Sequence, residues 1–236
     1  MYFKNNIITF VSEIFYFFKK MNELITTIPF YTMLTEEEKI FLSQNCSIVD
    51  FDSREALFKQ GSFAANIYFV VEGYCKLTYQ LGNKKKIVYI ARKGEIIGKD
   101  YILMEHYPYS THSLIDSKLM VFPKNLFKKI CEMNTSFYLK ISNKLEFKMR
   151  ETMDWLINLS FKNVEGAMAM FILKFCNKNY KGIYLSRAEI AEVIGYSRES
   201  IIHTLTKFEN EKLIKTKGKD IIIKDLDKLE EIIKYG

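Results

Sequence analysis

LSRAEIAEVIGYSRESIIHTLTKFENEKLI, residues 185–214, is the stretch on which the fold turns. Ser186 followed three residues later by Glu189 is a capping box, in which each side chain satisfies a backbone N–H at the start of a helix. Ile190, Val193 and Ile194 give that helix an apolar face, and Gly195 supplies the turn to the next. Ser197 is placed to cap a second helix, whose Ile201, Leu205 and Phe208 return to the core at helical spacing. Its outer face then carries Arg198, Glu199, Ser200, His203 and Lys207. Arg198 and Glu199 are side-chain types that hydrogen-bond base edges in a DNA major groove.

A helical hairpin with a solvated polar face would share this pattern. The residues that follow favour another reading. Ile214-Lys-Thr-Lys-Gly218-Lys-Asp-Ile-Ile-Ile223 reads as a strand, a glycine turn and a second strand. Two helices and then a hairpin make a winged helix. Its turn carries Lys215, Lys217 and Lys219, spaced to reach phosphate oxygens. A further hairpin is expected from Asn177 to Leu185 through Lys181-Gly182.

Composition agrees. A chain of 236 residues with 48% apolar content has room for two domains, each with a core. A net charge of +7 favours a polyanionic partner, although many lysines on such a chain simply lie on solvated faces. Cys46, Cys75, Cys131 and Cys176 are far apart and form no CxxC pair. They read as free, mostly buried thiols of a reducing cytoplasm, and no metal site is expected. No apolar run reaches the roughly 18 residues of a membrane span.

Residues 1–20, MYFKNNIITFVSEIFYFFKK, are apolar but interrupted by Ser12 and Glu13. No small-residue cleavage site follows, which speaks against a secretory signal peptide. The stretch reads either as an amphipathic helix, packed on the domain or on a membrane surface, or as sequence ahead of a natural start at Met21. The last is preferred.

Between Cys46 and Phe122 the pattern changes to short strands. Ile48–Phe51, Ala56–Phe58, Ile67–Val71, Tyr74–Tyr79 and Lys86–Ala91 are rich in β-branched or aromatic residues, and Gly61, Gly73, Gly82-Asn83 and Gly94 punctuate them. Even spacing predicts a barrel or sandwich rather than a parallel sheet. A long helix follows over about Thr135 to Leu159. Its Tyr138, Ile141, Leu145, Met149, Met153 and Leu156 form one stripe, suited to a contact between two copies or to a helix lying on its own barrel. The dimer is preferred, because a two-fold pair of reading helices matches a palindrome one helical turn apart.

This order of elements resembles the CRP/FNR family of bacterial transcription regulators. The most specific residues are Gly94-Glu-Ile-Ile-Gly98, Ile67-Tyr-Phe-Val-Val-Glu-Gly73 and Ser197-Arg-Glu-Ser-Ile201. The resemblance implies an α+β chain: an N-terminal double-stranded β-helix (a cupin-like β-roll) as effector domain, a long dimerisation helix, and a C-terminal winged helix-turn-helix. The expected boundaries are 1–20 for the N-terminal extension, 21–134 for the roll, 135–160 for the dimerisation helix and 161–236 for the DNA-binding domain. It also implies a cytoplasmic homodimer that binds palindromic promoter DNA, with RNA polymerase as a further partner and a signal sensed in the roll.

The effector site departs from the cyclic-AMP-binding members. There the glycine matching Gly98 precedes a Glu that bonds the ribose; here it precedes Lys99. An Arg-Ser pair that holds the cyclic phosphate reads Tyr109-Ser110, and tyrosine cannot replace the guanidinium's bidentate charge. A Thr-Ser pair that contacts adenine reads Thr152-Met153. Cyclic AMP is therefore not the expected effector. The cysteine cluster of the iron–sulfur branch is missing, and Cys75 without a nearby histidine is poor support for haem. His106 and His112 read as surface or packing residues. Lys99, Tyr107, Tyr109, Ser110 and Thr111 would suit a small anion such as an aromatic or otherwise apolar acid; the other reading is a roll filled by its own side chains.

On DNA, Arg198 is expected to bond guanine O6 and N7, and Glu199 a cytosine amino group. A second reading Arg of the cyclic-AMP-type helix is replaced by His203. Histidine is shorter and only partly charged near neutral pH, so preference at that base pair should relax. Ser186, Arg187, Ser197, Ser200, Lys217 and Lys219 match family positions that contact phosphates. No nucleophile–base pair, metal cluster or phosphate-cradling glycine loop argues for an enzyme. The alternatives are a winged helix that binds protein, or a nucleotide-binding regulatory subunit without DNA binding.

Overall fold

The computed structural model describes residues 31–176 and 184–236. The N-terminal stretch 1–20 and residues 177–183 of the expected extra hairpin lie outside the described residues. The chain forms two compact units. One holds the described residues up to Leu77 together with Ile90–Glu146; the other holds Thr78–Tyr89 together with Phe147–Gly236.

The β-rich region is a roll of two four-stranded sheets. Its strands are β1 (Ser47–Phe51), β2 (Ala56–Phe58), β3 (Asn66–Glu72), β4 (Tyr74–Leu81), β5 (Lys84–Arg92), β6 (Ile96–Ile97), β7 (Ser110–Ser113) and β8 (Ser117–Pro123). One sheet runs β1-β8-β3-β6 and the other β2-β7-β4-β5. The β1–β8, β3–β8, β3–β6 and β2–β7 pairs are antiparallel. The five expected strands are present, and each runs to within two residues of its expected ends.

Helix α1 (Glu36–Asn45) precedes the roll, and α2 (Lys124–Met133) and the start of α3 (Thr135–Ser160) follow it. Strand β3 is buried from Ile67 to Val71 because both of its faces are covered. Ile67 and Phe69 line a small apolar cavity together with Leu42 of α1, Phe127 of α2 and Phe137 of α3, while Tyr68 lies against Phe58 of β2 with ring centroids 5.4 Å apart. Asn134 ties these helices together. Its amide donates to Glu38 Oε2 at 2.8 Å and Met33 O at 3.0 Å, and its Oδ1 accepts from Phe137 N at the head of α3.

The stripe on α3 divides. Ile141 is buried with Phe137 and belongs to the core of its own unit, so it leaves the expected intersubunit seam. Tyr138, Met149, Met153 and Leu156 are exposed, as are Leu139, Phe147 and Ile157 beside them. No helix among the described residues is long and apolar enough to cross a membrane.

The second unit continues with α4 (Val164–Phe175), α5 (Arg187–Ile194), α6 (Arg198–Asn210), the hairpin β9 (Ile214–Lys217) and β10 (Asp220–Ile223), and α7 (Leu226–Tyr235). Ile190, Val193 and Ile194 of α5 and Ile201, Leu205 and Phe208 of α6 are all buried, as their spacing predicts. They meet Met168, Phe171 and Ile172 of α4, which with Leu229 of α7 complete the core.

Candidate nucleic-acid interface and effector site

Local chemistry sets the helix-turn-helix. Ser186 Oγ accepts from Glu189 N, and Glu189 Oε2 accepts from Ser186 N at 2.8 Å, which closes the capping box. Gly195 ends α5 at φ +85°, a left-handed conformation that costs glycine little. Ser197 Oγ accepts from Ser200 N at 3.1 Å and starts α6. The turn is held from below by Tyr196, whose hydroxyl donates to Lys162 O at 2.6 Å.

Arg198, Glu199 and His203 are all exposed on the first turns of α6. Among the described residues, the side chains of these three have no hydrogen bond or ion pair within the chain. Ile202, 44% exposed, and Thr206 extend the same face. Sequence reasoning missed both. Their positions, four and eight residues after Arg198, were the available signal. An exposed isoleucine there suits a thymine methyl group. Lys207 does not join this face: its Nζ lies 2.6 Å from Glu165 Oε1 of α4. The ion pair turns it toward its own domain and corrects its placement on the outer surface.

The hydroxyls of Ser186, Ser197 and Ser200 sit at the helix starts, where N–H groups and side chains together make an anion-friendly surface. Lys217 and Lys219 flank the wing turn and are exposed, as is Lys215. Arg187 is turned onto the wing, with Nη2 donating to Gly218 O at 3.1 Å and Nη1 to Lys219 O at 3.4 Å.

In the roll, Gly98 takes φ +108° and opens a 3-10 turn, Lys99–Tyr101. Tyr109 donates its hydroxyl to Asp100 Oδ2. Burial, then the Asp100 charge and this hydrogen bond, push the phenol far above its ordinary range, so Tyr109 stays neutral. Ser110 Oγ accepts from Gln60 N at 3.0 Å, and Thr111 is fully buried with no partner for its hydroxyl among the described residues.

Tyr107 is not a free pocket wall. Its hydroxyl accepts from Asn66 N at 3.1 Å and donates to Asn66 O, and its ring stacks on Phe58 at 3.8 Å. Beside it Tyr101 is wholly buried, edge-on to both Tyr107 and Tyr109. The roll thus contains an aromatic cluster of Phe58, Tyr101, Tyr107 and Tyr109, which is closer to the second of the two readings, a roll filled by its own side chains. Gly98, Lys99, Tyr109, Ser110 and Thr111 lie together in the first unit. Thr152 and Met153 lie on the later part of α3, in the second. Thr152 Oγ1 donates to Lys148 O in its own helix, and Met153 is exposed.

None of the four cysteines forms a disulfide; Cys46, Cys75 and Cys131 are buried, and Cys176 lies near Arg187. Among the described residues, no three His, Cys, Asp or Glu side chains come together as metal ligands.

The family model of the cyclic nucleotide-binding domain matches residues 48–134, and that of the Crp-like helix-turn-helix domain matches residues 166–232. The cAMP-activated global transcriptional regulator CRP of Salmonella typhimurium is 24% identical over 193 residues, which cover 78% of this chain and 91% of that protein. The transcriptional activatory protein AadR of Rhodopseudomonas palustris is 24% identical over 176 residues, covering 70% and 72%. Among solved structures, FixK2 from Bradyrhizobium japonicum superposes with a TM-score of 0.72 at 16% identity, over 79% of this chain and 96% of that one. A CRP/FNR-family regulator from Eubacterium rectale gives 0.73 at 16% identity, over 89% and 99%.

Proposed function

This chain belongs to the CRP/FNR family of transcription regulators, and on that premise we propose that two copies read a palindromic promoter site in double-stranded DNA. The carrying observation is the exposed, unpartnered set Arg198, Glu199 and His203 at the start of a helix whose opposite face is wholly buried. A polar face held rigidly by a packed helix is what base-edge recognition needs. Arg198 bonds a guanine, Glu199 a cytosine amino group, and His203 contributes a weaker preference. Ser186, Ser197, Ser200, Lys217 and Lys219 supply phosphate contacts that set register.

The exposed stripe of Tyr138, Met149, Met153 and Leu156 supports a homodimer. Met149, Met153 and Leu156 in particular leave exposed apolar side chains at helical spacing on the later part of α3, which a second copy of the same helix covers. The protein acts in the cytoplasm as a regulator rather than an enzyme, and RNA polymerase is its expected partner at the promoter.

The roll does not take cyclic AMP. By the family resemblance Lys99, Tyr109 and Met153 replace the residues that bond ribose, phosphate and adenine, and the Tyr109 hydroxyl is engaged by Asp100. Two readings follow for the roll. A small anion would be drawn by Lys99. The fully buried Tyr101 favours the second, a roll whose interior is filled by its own aromatic side chains.

The test is a mobility shift with palindromic duplexes selected from a random pool, with and without cyclic AMP, beside sedimentation of the free protein. We expect a dimer that selects one palindrome whether or not the nucleotide is present. A monomer that enriches no sequence overturns the reading.

A further inference from the structure

The wing is small. Each of its two strands has four residues, and a two-stranded hairpin is marginal in water unless something else holds it. Ile214 and Ile221 anchor its base in the core, but the turn that carries Lys217 and Lys219 lies beyond that packing. Two side chains from the preceding helices secure it.

Glu209, near the end of α6, accepts from Thr216 N at 2.8 Å and from Thr216 Oγ1 at 3.0 Å on both carboxylate oxygens. Arg187, the first residue of α5, places its planar fork on two successive carbonyls, those of Gly218 and Lys219. Gly218 sits at the tip with φ +60°. Two donors in a fixed plane on two adjacent acceptors constrain orientation as well as distance, which a lysine ammonium could not do.

We propose that Arg187 is a positioning residue for the wing: it holds the turn so that the Lys217 and Lys219 ammonium groups reach the DNA backbone, and does not itself bind a phosphate. This rests on the DNA-binding reading above. It separates Arg187 from Ser186, its neighbour at the same helix start. Two of its N–H groups already serve carbonyls on the chain, and diverting those two onto a phosphate would release the turn on which both lysines depend.

The two roles differ in a double-mutant cycle. Each phosphate contact contributes about 0.9 to the slope of log affinity against log salt, so losing both wing lysines lowers the slope by about two. If Arg187 acts through the wing, Arg187→Ala lowers it by a comparable amount and costs almost nothing further in a Lys217→Ala/Lys219→Ala background. Arg187→Gln keeps an amide donor for a carbonyl without the charge, and retains more affinity than Arg187→Ala. A slope change of about one for Arg187→Ala, adding fully to the lysine losses, overturns the proposal.

Hydrogen exchange of the free protein gives a readout without DNA. In Arg187→Ala the amides of Lys217 to Ile221 should exchange faster, while buried amides of α5 and α6 keep their protection and report an intact fold. Unchanged wing exchange overturns the proposal. A wild-type protein that binds no duplex refutes the DNA reading alone, because the exchange comparison still decides what Arg187 does.

Discussion

Tyr101 lies directly beneath Gly98: a Cβ at residue 98 would stand 2.6 Å from the Tyr101 hydroxyl oxygen and 2.7 Å from its ring carbon Cζ. The backbone there also has φ +108°, which side-chain-bearing residues rarely adopt. Gly98→Ala therefore meets both overpacking and backbone strain, together about 2–4 kcal/mol. Tyr101→Phe removes a buried hydroxyl with no partner among the described residues. It should leave stability unchanged or raise it by about 1 kcal/mol. Urea unfolding of the two variants checks both, and a marked loss in Tyr101→Phe would reveal a partner for that hydroxyl.

Arg198→Ala should cost about 1–3 kcal/mol on the selected palindrome and little on random duplex. Fluorescence anisotropy with both probes measures the difference. Equal losses would place Arg198 among the phosphate contacts. Ile202→Ala should weaken binding only where the site offers a thymine methyl group.

Met149→Glu with Met153→Glu puts two carboxylates on the exposed stripe of α3 without touching the buried Ile141. Sedimentation should change from dimer to monomer, and affinity for a palindrome should fall toward that for a half-site. A double variant that remains dimeric would move the subunit contact elsewhere.

Glu209 is held below its ordinary value of 4.5, first by the backbone N–H of Thr216 and then by its hydroxyl. Its folded pKa is thus the lower one. The stabilisation is complete above pH about 4.5 and disappears as pH falls through the folded value. The Arg187 and Lys215 charges also lower the Glu209 value. Thr216→Val removes the hydroxyl's share, so the Glu209 carboxyl should titrate closer to 4.5 by NMR. The wing of this variant should also loosen less steeply in acid.

Burial pushes the thiols of Cys46 and Cys131 up to about 11 and those of Cys75 and Cys176 up to about 12. At Cys176 the nearby Arg187 charge opposes this but does not outweigh burial. The nucleophile is the thiolate, so all four should react slowly with an aromatic disulfide at pH 8 until the protein is unfolded. Rapid native-state reaction of Cys176 would indicate that its surroundings open.

The helix-turn-helix was legible because its determinants are local. Ser186 and Glu189, Gly195, and Ser197 and Ser200 each act within three or four residues of one another, and the apolar spacing on α5 and α6 needs no partner to be recognised. Strand β7 was hidden for the opposite reason. Its sequence is Ser-Thr-His-Ser, yet Thr111 and Ser113 are its buried positions, and Ser113 Oγ donates to backbone carbonyls of the neighbouring chain segment. Hydroxyls that bond the backbone pass as core residues without an apolar pattern. Lys207 read as a residue of the outer face, and Arg187 gave no sign of its contact with the wing, because their partners, Glu165 and the wing carbonyls, are 42 and about 31 residues away. Long-range pairing decides which way a cation faces, and spacing along one helix carries no trace of it. The aromatic filling of the roll was partly visible as Tyr107 and Tyr109, but the role of Tyr101 depends on how the 3-10 turn folds beneath Gly98.

The uncovered apolar residues of α3 have a consequence for gene dosage. When the chain is scarcer than the dissociation constant of its pair, the amount of paired protein grows as the square of the amount made. At an unsaturated promoter, halving synthesis then lowers occupancy by about fourfold, so the target genes would respond more than proportionally to the amount of this regulator.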